Sequence, residues 1–290
     1  MGILIFKELI VNIKAADVKK LRDKTGAGML DCKNALVETN GDFQLAEKKL
    51  KELGLAAVAK RSGRATNNGR VFSRITSSKA VVLEIACETD FVARNKDFIA
   101  LGDTLLDVVF QNDLTEITSE LENLVKELIS TIKENMTLKR FTVIDIADNE
   151  AAADYIHGEG AIGVLVKIKA DDASVLTSDR IKEFLFDCAL HIAAYNPLYL
   201  SESEVDADYL AEQKDIFINQ VAALDKPANV VENIVKGKLN KHLSEICFLK
   251  QGFVKDDKSS VAAVLKALSK ELGTKLDIVD YKYFRVGSDD

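Results

Sequence analysis

Apolar side chains recur at helical spacing in three short segments near the amino end of the chain. Asp17 is the predicted N-cap of the first helix, and the two glycines of Thr25-Gly26-Ala27-Gly28 end that helix in a tight turn. The second helix is predicted from Met29 to Glu38 and the third from Phe43 to Leu53. Three helices this short form a small bundle with little core of its own. The positions at inward helical spacing are Val18, Leu21, Leu30, Cys32, Ala35, Leu36, Leu45, Ala46, Lys49, Leu50 and Leu53.

The middle of the chain combines strand patterns with helical ones. The run from Ala80 to Cys87 is almost wholly apolar, which predicts a buried strand. A hairpin followed by a helix occurs twice, and this repetition predicts a two-part α+β core of small antiparallel sheets with helices. In chain order, the predicted segments are strands at 71–75 and 80–87, helices at 98–110 and 119–135, a strand at 138–146, a hairpin at 155–168 and a helix at 178–194.

Residues 206–246 form a long polar stretch with a narrow apolar stripe at helical spacing, interrupted by Asp225-Lys226-Pro227. Pro227 is positioned to open the second helix of this stretch, because proline is favoured in the first helical turn. Each helix can bury its stripe only on the other, which predicts an antiparallel helical hairpin inserted into the second part of the core. Strands at 246–254 and 276–286, with a helix between them, then complete that part.

The predicted organisation is therefore an α+β protein of several segments, in which the inserted hairpin divides the second core part along the sequence. The segments are a leader of unknown role at 1–16, a three-helix amino-terminal module at 17–56, a linker at 57–69, the first core part at 70–150, the second core part at 151–205 and 247–290, and the hairpin at 206–246.

Composition and charge narrow the class of partner. The chain has 290 residues and a formal net charge of −7. This acid excess argues against a nucleic-acid backbone as the main partner, because phosphate binding needs clustered Lys and Arg. Residues 1–11 are largely apolar but too few to span a bilayer. Four widely spaced cysteines without a Cys-x-x-Cys pair indicate reduced thiols. We therefore expect a cytoplasmic protein with no membrane contact and no bound metal or cofactor.

Few side chains indicate catalysis. Glu88 and Asp90 lie two residues apart after the buried strand, a spacing that puts both on one face and allows the acid–base chemistry of a hydrolase. Gly-rich loops of the phosphate-binding or dinucleotide-binding type are absent from the sequence. Cys188 and His191 lie three apart on a predicted helix, close enough to share a metal ion, but no second ligand pair accompanies them. His157 differs because it lies in a glycine-flanked turn, and loops often carry function.

Two motifs identify a family. One is Glu88-Thr89-Asp90-Phe91-Val92-Ala93-Arg94-Asn95, directly after the apolar strand, and the other extends from Lys19 to Lys33 around Thr25-Gly26-Ala27-Gly28-Met29. Together they closely resemble elongation factor Ts, the exchange factor for the translational GTPase elongation factor Tu. The resemblance covers residues 17–286 and is thinnest in the helical hairpin. It implies that the amino-terminal module is similar to ubiquitin-associated (UBA) domains and that the hairpin is a coiled coil.

The same resemblance assigns roles to particular residues. It implies guanine-nucleotide exchange on the GDP-bound form of elongation factor Tu during polypeptide elongation, with no bond broken and therefore no enzymatic catalysis. Asp90 and Phe91 would be inserted beside the magnesium site of the partner, with Thr89 and Val92 positioning them. On the residue pattern alone, Phe91 would instead begin the inner face of the next helix, with Asp90 as its cap. The further positions that match family contacts with the partner are Lys19, Arg22, Met29 and His157.

Two departures from the family pattern bear on affinity for the partner. Ala161 stands where the family often has a basic residue, so a salt bridge there is lost. The extra carboxy-terminal helix of some members is not expected after residue 286. Two other classes stay open: an adaptor or chaperone that grips a GTPase without accelerating release, and a hydrolase that uses Glu88 and Asp90. The resemblance also allows a homodimer within a heterotetramer, and the acid excess of the chain predicts no direct contact with nucleic acid.

Overall fold

The computed structural model of the chain describes residues 13–221 and 227–288, apart from the side chains of residues 55–57 and 59. These residues divide into two compact units. The first unit contains the described residues up to Gly69 together with Ile85–Lys139, and the second contains Arg70–Glu84 and the described residues from Arg140 onward. Helices and small sheets occur together, so the predicted α+β class is confirmed. Most of the predicted leader at 1–16 lies outside the described residues.

Three helices open the first unit: α1 (Ala15–Thr25), α2 (Met29–Glu38) and α3 (Phe43–Arg61). The prediction that Asp17 is the N-cap of the first helix is wrong. The helix begins earlier, after Lys14, whose side chain makes no capping bond. Asp17 lies in the first turn instead, where a carboxylate interacts favourably with the positive end of the helix dipole.

A glycine ends α1, and an aspartate caps the start of α3. Gly26 has a φ of 66° and ends α1 in the left-handed conformation. Asp42 caps α3, because its carboxylate accepts hydrogen bonds from two backbone N–H groups of the first turn, each at 2.9 Å. α3 continues to Arg61, so the first part of the linker predicted at 57–69 is helical.

The three helices bury one face each, and three predicted inward positions are wrong. Leu30, Leu45 and Leu53 are exposed. Leu30 and Leu45 lie about 100° or more around their helices from the buried positions. A helix that buries those positions therefore leaves these two leucines on its outer side. Leu53 shares the inner side of α3, but the buried cluster ends before it. The buried cluster consists of Val18, Leu21, Cys32, Ala35, Leu36, Ala46 and Leu50.

The rest of the first unit contains a single helical turn, α4 (Asp90–Ala93), and two longer helices, α5 (Lys96–Gln111) and α6 (Ser119–Ile132). Both longer helices were predicted, and they pack on each other. α6 also packs on α3. Gly54 of α3 allows this approach, because a Cβ atom there would lie 3.1 Å from the Cβ of Ser130. The three-helix module and α6 therefore belong to one unit.

A three-stranded sheet contains β1 (Asn68–Ile75), β2 (Lys79–Cys87) and β3 (Met136–Asp145), with β2 in the middle. The boundary between the two units passes through these strands. β2 is buried from its second residue to its last, as its apolar run predicts. Its charged residue Glu84 is fully buried and accepts a hydrogen bond from the Nε atom of Arg140 at 2.9 Å. A carboxylate buried this deeply needs a paired charge to offset its lost hydration.

The second unit is built on an antiparallel sheet of β4 (Glu150–His157), β5 (Ile162–Ala170) and β8 (Leu276–Arg285), with β5 in the middle. α7 (Asp179–Tyr195) packs on β4 and β5, and α10 (Val261–Leu272) packs on β8. The predicted hairpin, helix and last strand are therefore confirmed. The fully buried part of this core is Val164, Val166, Ile168, Ala170, Ile181, Cys188, Ala189, Ile192, Phe248 and Val261.

Two helices interrupt the second unit between its sheet strands: α8 (Ala207–Val221) and α9 (Ala228–Ile246). They pack on each other. The hydroxyl of Tyr209, near the start of α8, lies 2.9 Å from Nε2 of His242, near the end of α9, so the two helices run antiparallel. Residues 222–226 between them lie outside the described part of the chain. None of the helices in that part combines the length and the apolar character that a membrane span requires.

The strand predicted at 246–254 is largely wrong. α9 continues to the first of these residues and a 3-10 turn follows it, so the first strand residues appear only in β6 (Gly252–Phe253), which pairs with β7 (Asp256–Ser260). Phe248 and Phe253 are both buried in the core of the second unit. The apolar run is thus buried through a turn, which periodicity alone cannot distinguish from a short strand.

His191 of α7 is fully buried, and both of its ring nitrogens are occupied. The backbone N–H of Val254 donates to Nδ1 at 3.1 Å, and Nε2 lies 2.9 Å from Oε1 of Gln251. Because a backbone N–H can only donate, Nε2 carries the proton of the neutral ring. Burial also raises the pKa of the neighbouring Cys188 thiol well above its usual value. The shared metal site considered for these two residues is therefore not formed.

The buried ring predicts a loss of stability in mild acid. Burial lowers the pKa of His191 below its usual value, against a smaller opposite effect of the Gln251 hydrogen bond. The unfolded chain therefore binds a proton at a higher pH than the folded chain. The contribution of neutral His191 to the unfolding free energy is complete above the pKa of the ring in the unfolded chain, about 6.5. It declines as the pH falls from there towards the lower pKa of the ring in the folded chain.

We expect His191→Gln to reduce the change in unfolding free energy between about pH 7.5 and about pH 5.5, measured by urea denaturation. Ile117→Ala, at an exposed residue that does not titrate, is the control and should leave the pH dependence of the unfolding free energy as it is in the parent chain. Parallel pH dependence in the parent and in His191→Gln would contradict this account.

Candidate functional site

The buried strand β2 ends in a turn that carries the Thr-Asp-Phe-Val motif. The side-chain oxygen of Thr89 accepts a hydrogen bond from the N–H of Val92 at 3.4 Å, which makes Thr89 the N-cap of α4. Val92 is buried, whereas Phe91 is 81% exposed. The alternative in which Asp90 caps the helix and Phe91 begins its inner face is therefore wrong. The cap lies one residue earlier, and Phe91 faces solvent.

Charged side chains lie beside the exposed ring. Asp90 and Arg94 approach to 3.8 Å across one helical turn, and both are exposed. An ion pair of this kind contributes little to stability. Burying a phenylalanine side chain stabilises a protein by about 1.5–3 kcal/mol. Because Phe91 is exposed, it contributes little of this stabilisation in the isolated chain. Phenylalanine and arginine are both enriched in the cores of protein interfaces, so Phe91 and Arg94 together are typical of a contact surface.

Two residues that the sequence analysis missed hold this turn in place. The hydroxyl of Thr89 donates to the carboxylate of Glu134, at 3.0 and 3.1 Å from its two oxygens. Asn135 is buried; its backbone N–H donates to Glu88 at 2.6 Å and its amide to the carbonyl of Arg64 at 2.8 Å. In the sequence these two residues are an ordinary polar pair between a helix and a strand, and no periodicity connects them to the motif.

Glu88 has a structural role, so the catalytic pair is not formed. Its carboxylate accepts a backbone N–H and lies 3.3 Å from Arg64, while Asp90 points to solvent. A carboxylate held by fixed donors is not available as a general base towards a substrate. Nor is Cys87 a nucleophile, because burial, and to a lesser extent the charge of Glu134, raises the pKa of its thiol to about 12.

The predicted contact residues of the amino-terminal module lie in the same unit as the Thr-Asp-Phe-Val turn. Lys19 and Arg22 are exposed and three residues apart on α1, so they lie near each other on its surface. Neither has a hydrogen-bond or ion-pair partner among the residues that the structure describes. Met29 begins α2 and is 47% exposed. The unit therefore combines free positive charge, an accessible thioether and an exposed aromatic ring.

His157 belongs to the second unit, as the last residue of β4. Its ring is exposed, and the chain turns directly after it through Gly158, Glu159 and Gly160, whose φ values are 58°, 55° and 97°. At Gly160 a Cβ atom would overlap the side chain of Arg70. The turn therefore depends on glycine, and it leaves the histidine at an accessible strand end.

Comparison with known proteins identifies the family of this chain. The family described as Elongation factor TS matches residues 88–288. Elongation factor Ts of Treponema denticola is 48% identical over 277 residues, covering 96% of this chain and 99% of the relative. Elongation factor Ts of Borrelia recurrentis is 46% identical over 280 residues, covering 96% and 100%. The chain belongs to the elongation factor Ts family, and its process is translation elongation.

We expect Glu134→Ala to loosen the turn, because it removes the acceptor of the Thr89 hydroxyl. The loss of one such charge-assisted hydrogen bond should lower the unfolding free energy by about 1–3 kcal/mol. Amide exchange at Val92, whose N–H is bonded to Thr89, should also quicken. Urea denaturation and hydrogen-exchange mass spectrometry measure the two effects.

The control for this substitution is Glu116→Ala, which removes an exposed acid with no hydrogen-bond partner among the described residues. It should change neither quantity. Equal exchange rates at Val92 in Glu134→Ala and Glu116→Ala would show that Glu134 does not hold the turn.

Proposed function

We propose that this protein is a guanine-nucleotide exchange factor for the translational GTPase elongation factor Tu and that it promotes GDP release during polypeptide elongation. Membership of the family supports this class of function. One observation carries the proposal: Phe91 is exposed on a turn whose neighbouring residues are buried or hydrogen-bonded. A ring presented in this way is suited to insertion into a second protein.

The proposed mechanism is displacement by differential binding. In translational GTPases, backbone amides and a Mg²⁺ ion hold the phosphates of the nucleotide. A factor that binds the nucleotide-free form more tightly than the loaded form weakens nucleotide binding by the same coupling free energy. Phe91 would act as the wedge, and the carboxylate of Asp90 would disturb the coordination of Mg²⁺. No covalent bond is broken, so the factor is not an enzyme in the usual sense.

Thr89 and Val92 would position that wedge from the two sides of Phe91. Thr89 is fixed by Glu134, and Val92 is fixed by burial. A turn that is already ordered loses less conformational entropy on docking than a flexible one, and more of its contact energy is then available for displacement. The hydrogen bonds around the turn support this role, because they hold the residues on both sides of the ring.

Further contacts with the partner are proposed at both units. Lys19 and Arg22 would contribute charge, Met29 would contribute an adaptable apolar contact, and His157 would approach the phosphate-binding region. Ala161 supplies no basic group after the histidine turn, so the proposed contact there relies on His157. The GDP-bound form of the partner is the proposed starting state.

The remaining features of the proposal follow from the family resemblance and from the composition of the chain. They are a UBA-like fold of the amino-terminal module, a coiled-coil character of α8 and α9, a cytoplasmic location, no direct contact with nucleic acid, and a homodimer within a heterotetramer as one arrangement with the partner. The segment boundaries predicted from the sequence also stay predictions.

The wedge hypothesis predicts a specific loss of exchange activity. Purified protein should accelerate the release of labelled GDP from elongation factor Tu, and the double substitution Asp90→Ala with Phe91→Ala should reduce that acceleration by about tenfold or more. Removing a central aromatic contact typically costs about 2 kcal/mol, equivalent to roughly thirtyfold in an equilibrium constant. The folded state should persist, since both side chains are exposed.

Ile117→Ala, at another exposed apolar residue of the first unit, is the control and should retain full exchange. Tight complex formation by the parent chain without faster GDP release would favour an adaptor over an exchange factor. Turnover of a generic ester or glycoside would favour a hydrolase.

The charges of the module predict a salt-dependent association rate. Lys19→Ala with Arg22→Ala should slow association with elongation factor Tu at low ionic strength, measured by stopped-flow fluorescence. The difference should shrink between about 0.1 M and about 1 M salt, as the Debye length falls from about 10 Å to about 3 Å. Lys48→Ala removes an exposed lysine of α3 as a control. If the double substitution slows association at low salt no more than the control does, Lys19 and Arg22 do not lie in the interface.

A further inference from the structure

Tyr155 and His157 form a connected pair at the end of β4. They lie two residues apart on one strand, so their side chains share a face of the sheet. The hydroxyl of Tyr155 lies 3.0 Å from Nδ1 of His157, and the ring centroids are 5.9 Å apart. We propose that Tyr155 is a positioning residue, which fixes the tautomer and orientation of His157 for contact with the partner. This inference rests on the proposed exchange function.

The hydrogen bond selects a tautomer of the neutral imidazole. A phenolic oxygen shares its lone pair with the ring, which makes it a weaker acceptor than the imine nitrogen of a histidine. The hydroxyl of Tyr155 therefore donates to Nδ1, and the ring proton is on Nε2. Nε2 has no hydrogen-bond partner among residues 13–221 and 227–288, and the ring is exposed. His157 thus presents one N–H donor outward, which is complementary to a carbonyl or phosphate oxygen of the partner.

Tyr155 is itself held on two sides. Its ring meets the ring of Phe186 edge to face, with centroids 5.8 Å apart and an interplanar angle of 88°. Its backbone pairs with Val164 of β5 in the middle of the sheet. The hydroxyl therefore projects from a ring with a defined place, and the ordering extends from α7 through Tyr155 to His157.

The matched control lies in the same row of the sheet. Val164 pairs with Tyr155 on one side and with Tyr283 of β8 on the other. Directly paired residues of neighbouring strands project to the same face. The hydroxyl of Tyr283 has no hydrogen-bond partner among the described residues. Tyr283→Phe therefore makes the same chemical change on the same face without touching His157.

The first experiment uses the free protein. Side-chain ¹⁵N chemical shifts of His157, in the full ¹⁵N-labelled chain, distinguish the two neutral tautomers. In the parent chain and in Tyr283→Phe the shifts should report the tautomer protonated on Nε2. In Tyr155→Phe they should move towards a mixture. The same shifts in all three proteins, or a parent ring protonated on Nδ1, would overturn the proposal whether or not the protein accelerates GDP release.

The second experiment is a double-substitution cycle in the GDP-release assay. Tyr155→Phe alone should slow release on the order of 2–10-fold, as expected for one hydrogen bond, and Tyr283→Phe should not. In a His157→Ala background, Tyr155→Phe should have no further effect, because its role passes through the ring. An equal effect of Tyr155→Phe in both backgrounds would assign it a purely structural role and overturn the proposal. Failure of the parent chain to accelerate release would instead overturn the exchange function itself.

Discussion

An exposed aromatic ring keeps a defined position only when other contacts fix the backbone that carries it. Phe91 would gain about 1.5–3 kcal/mol by burial, and a flexible turn would allow it to fold back onto apolar surface. The turn is not free to do so. Thr89 is bonded to Glu134, Val92 is buried, and Glu88 accepts the N–H of Asn135. The position of the ring is the result of the bonds around it, and the proposed activity depends on that position.

This constraint explains why so many polar groups converge on one strand end. Asn135 is buried; its side-chain amide donates to the carbonyl of Arg64 and its backbone N–H donates to Glu88, so one residue holds the chain before β1 and the chain after β2. A buried amide stabilises only if its hydrogen bonds are made, because an unmade bond costs about 1–3 kcal/mol. Such a group therefore favours a single arrangement of the surrounding loops. A single arrangement suits the proposed wedge. If the turn became ordered only on docking, the lost conformational entropy would reduce the binding energy available to displace a ligand.

The sequence predicted the scaffold better than the site. The run from Ala80 to Cys87 is apolar enough to require burial, and the strand lies where the pattern puts it. The residue pattern does not distinguish between two caps, because Thr89 and Asp90 are both good capping residues, and the choice between them decides which way Phe91 points. Glu134 lies far along the chain from Thr89, and no periodicity records a contact over that distance. The family resemblance pointed to the motif, but the bonds that hold it are tertiary and became visible only in the structure.

A hydroxyl group connects a buried or ordered element to an accessible side chain in both units. In the first, the Thr89 hydroxyl donates to Glu134 and accepts from the backbone of the turn that carries Phe91. In the second, the Tyr155 hydroxyl bonds the ring of His157 from a position held by Phe186. A hydroxyl can donate and accept at once, so it can orient a neighbour without adding charge at a surface that would lose its water in the proposed complex. Within each unit, the tip that would meet the partner is therefore distinct from the group that sets its direction, and the two contributions are separable by substitution.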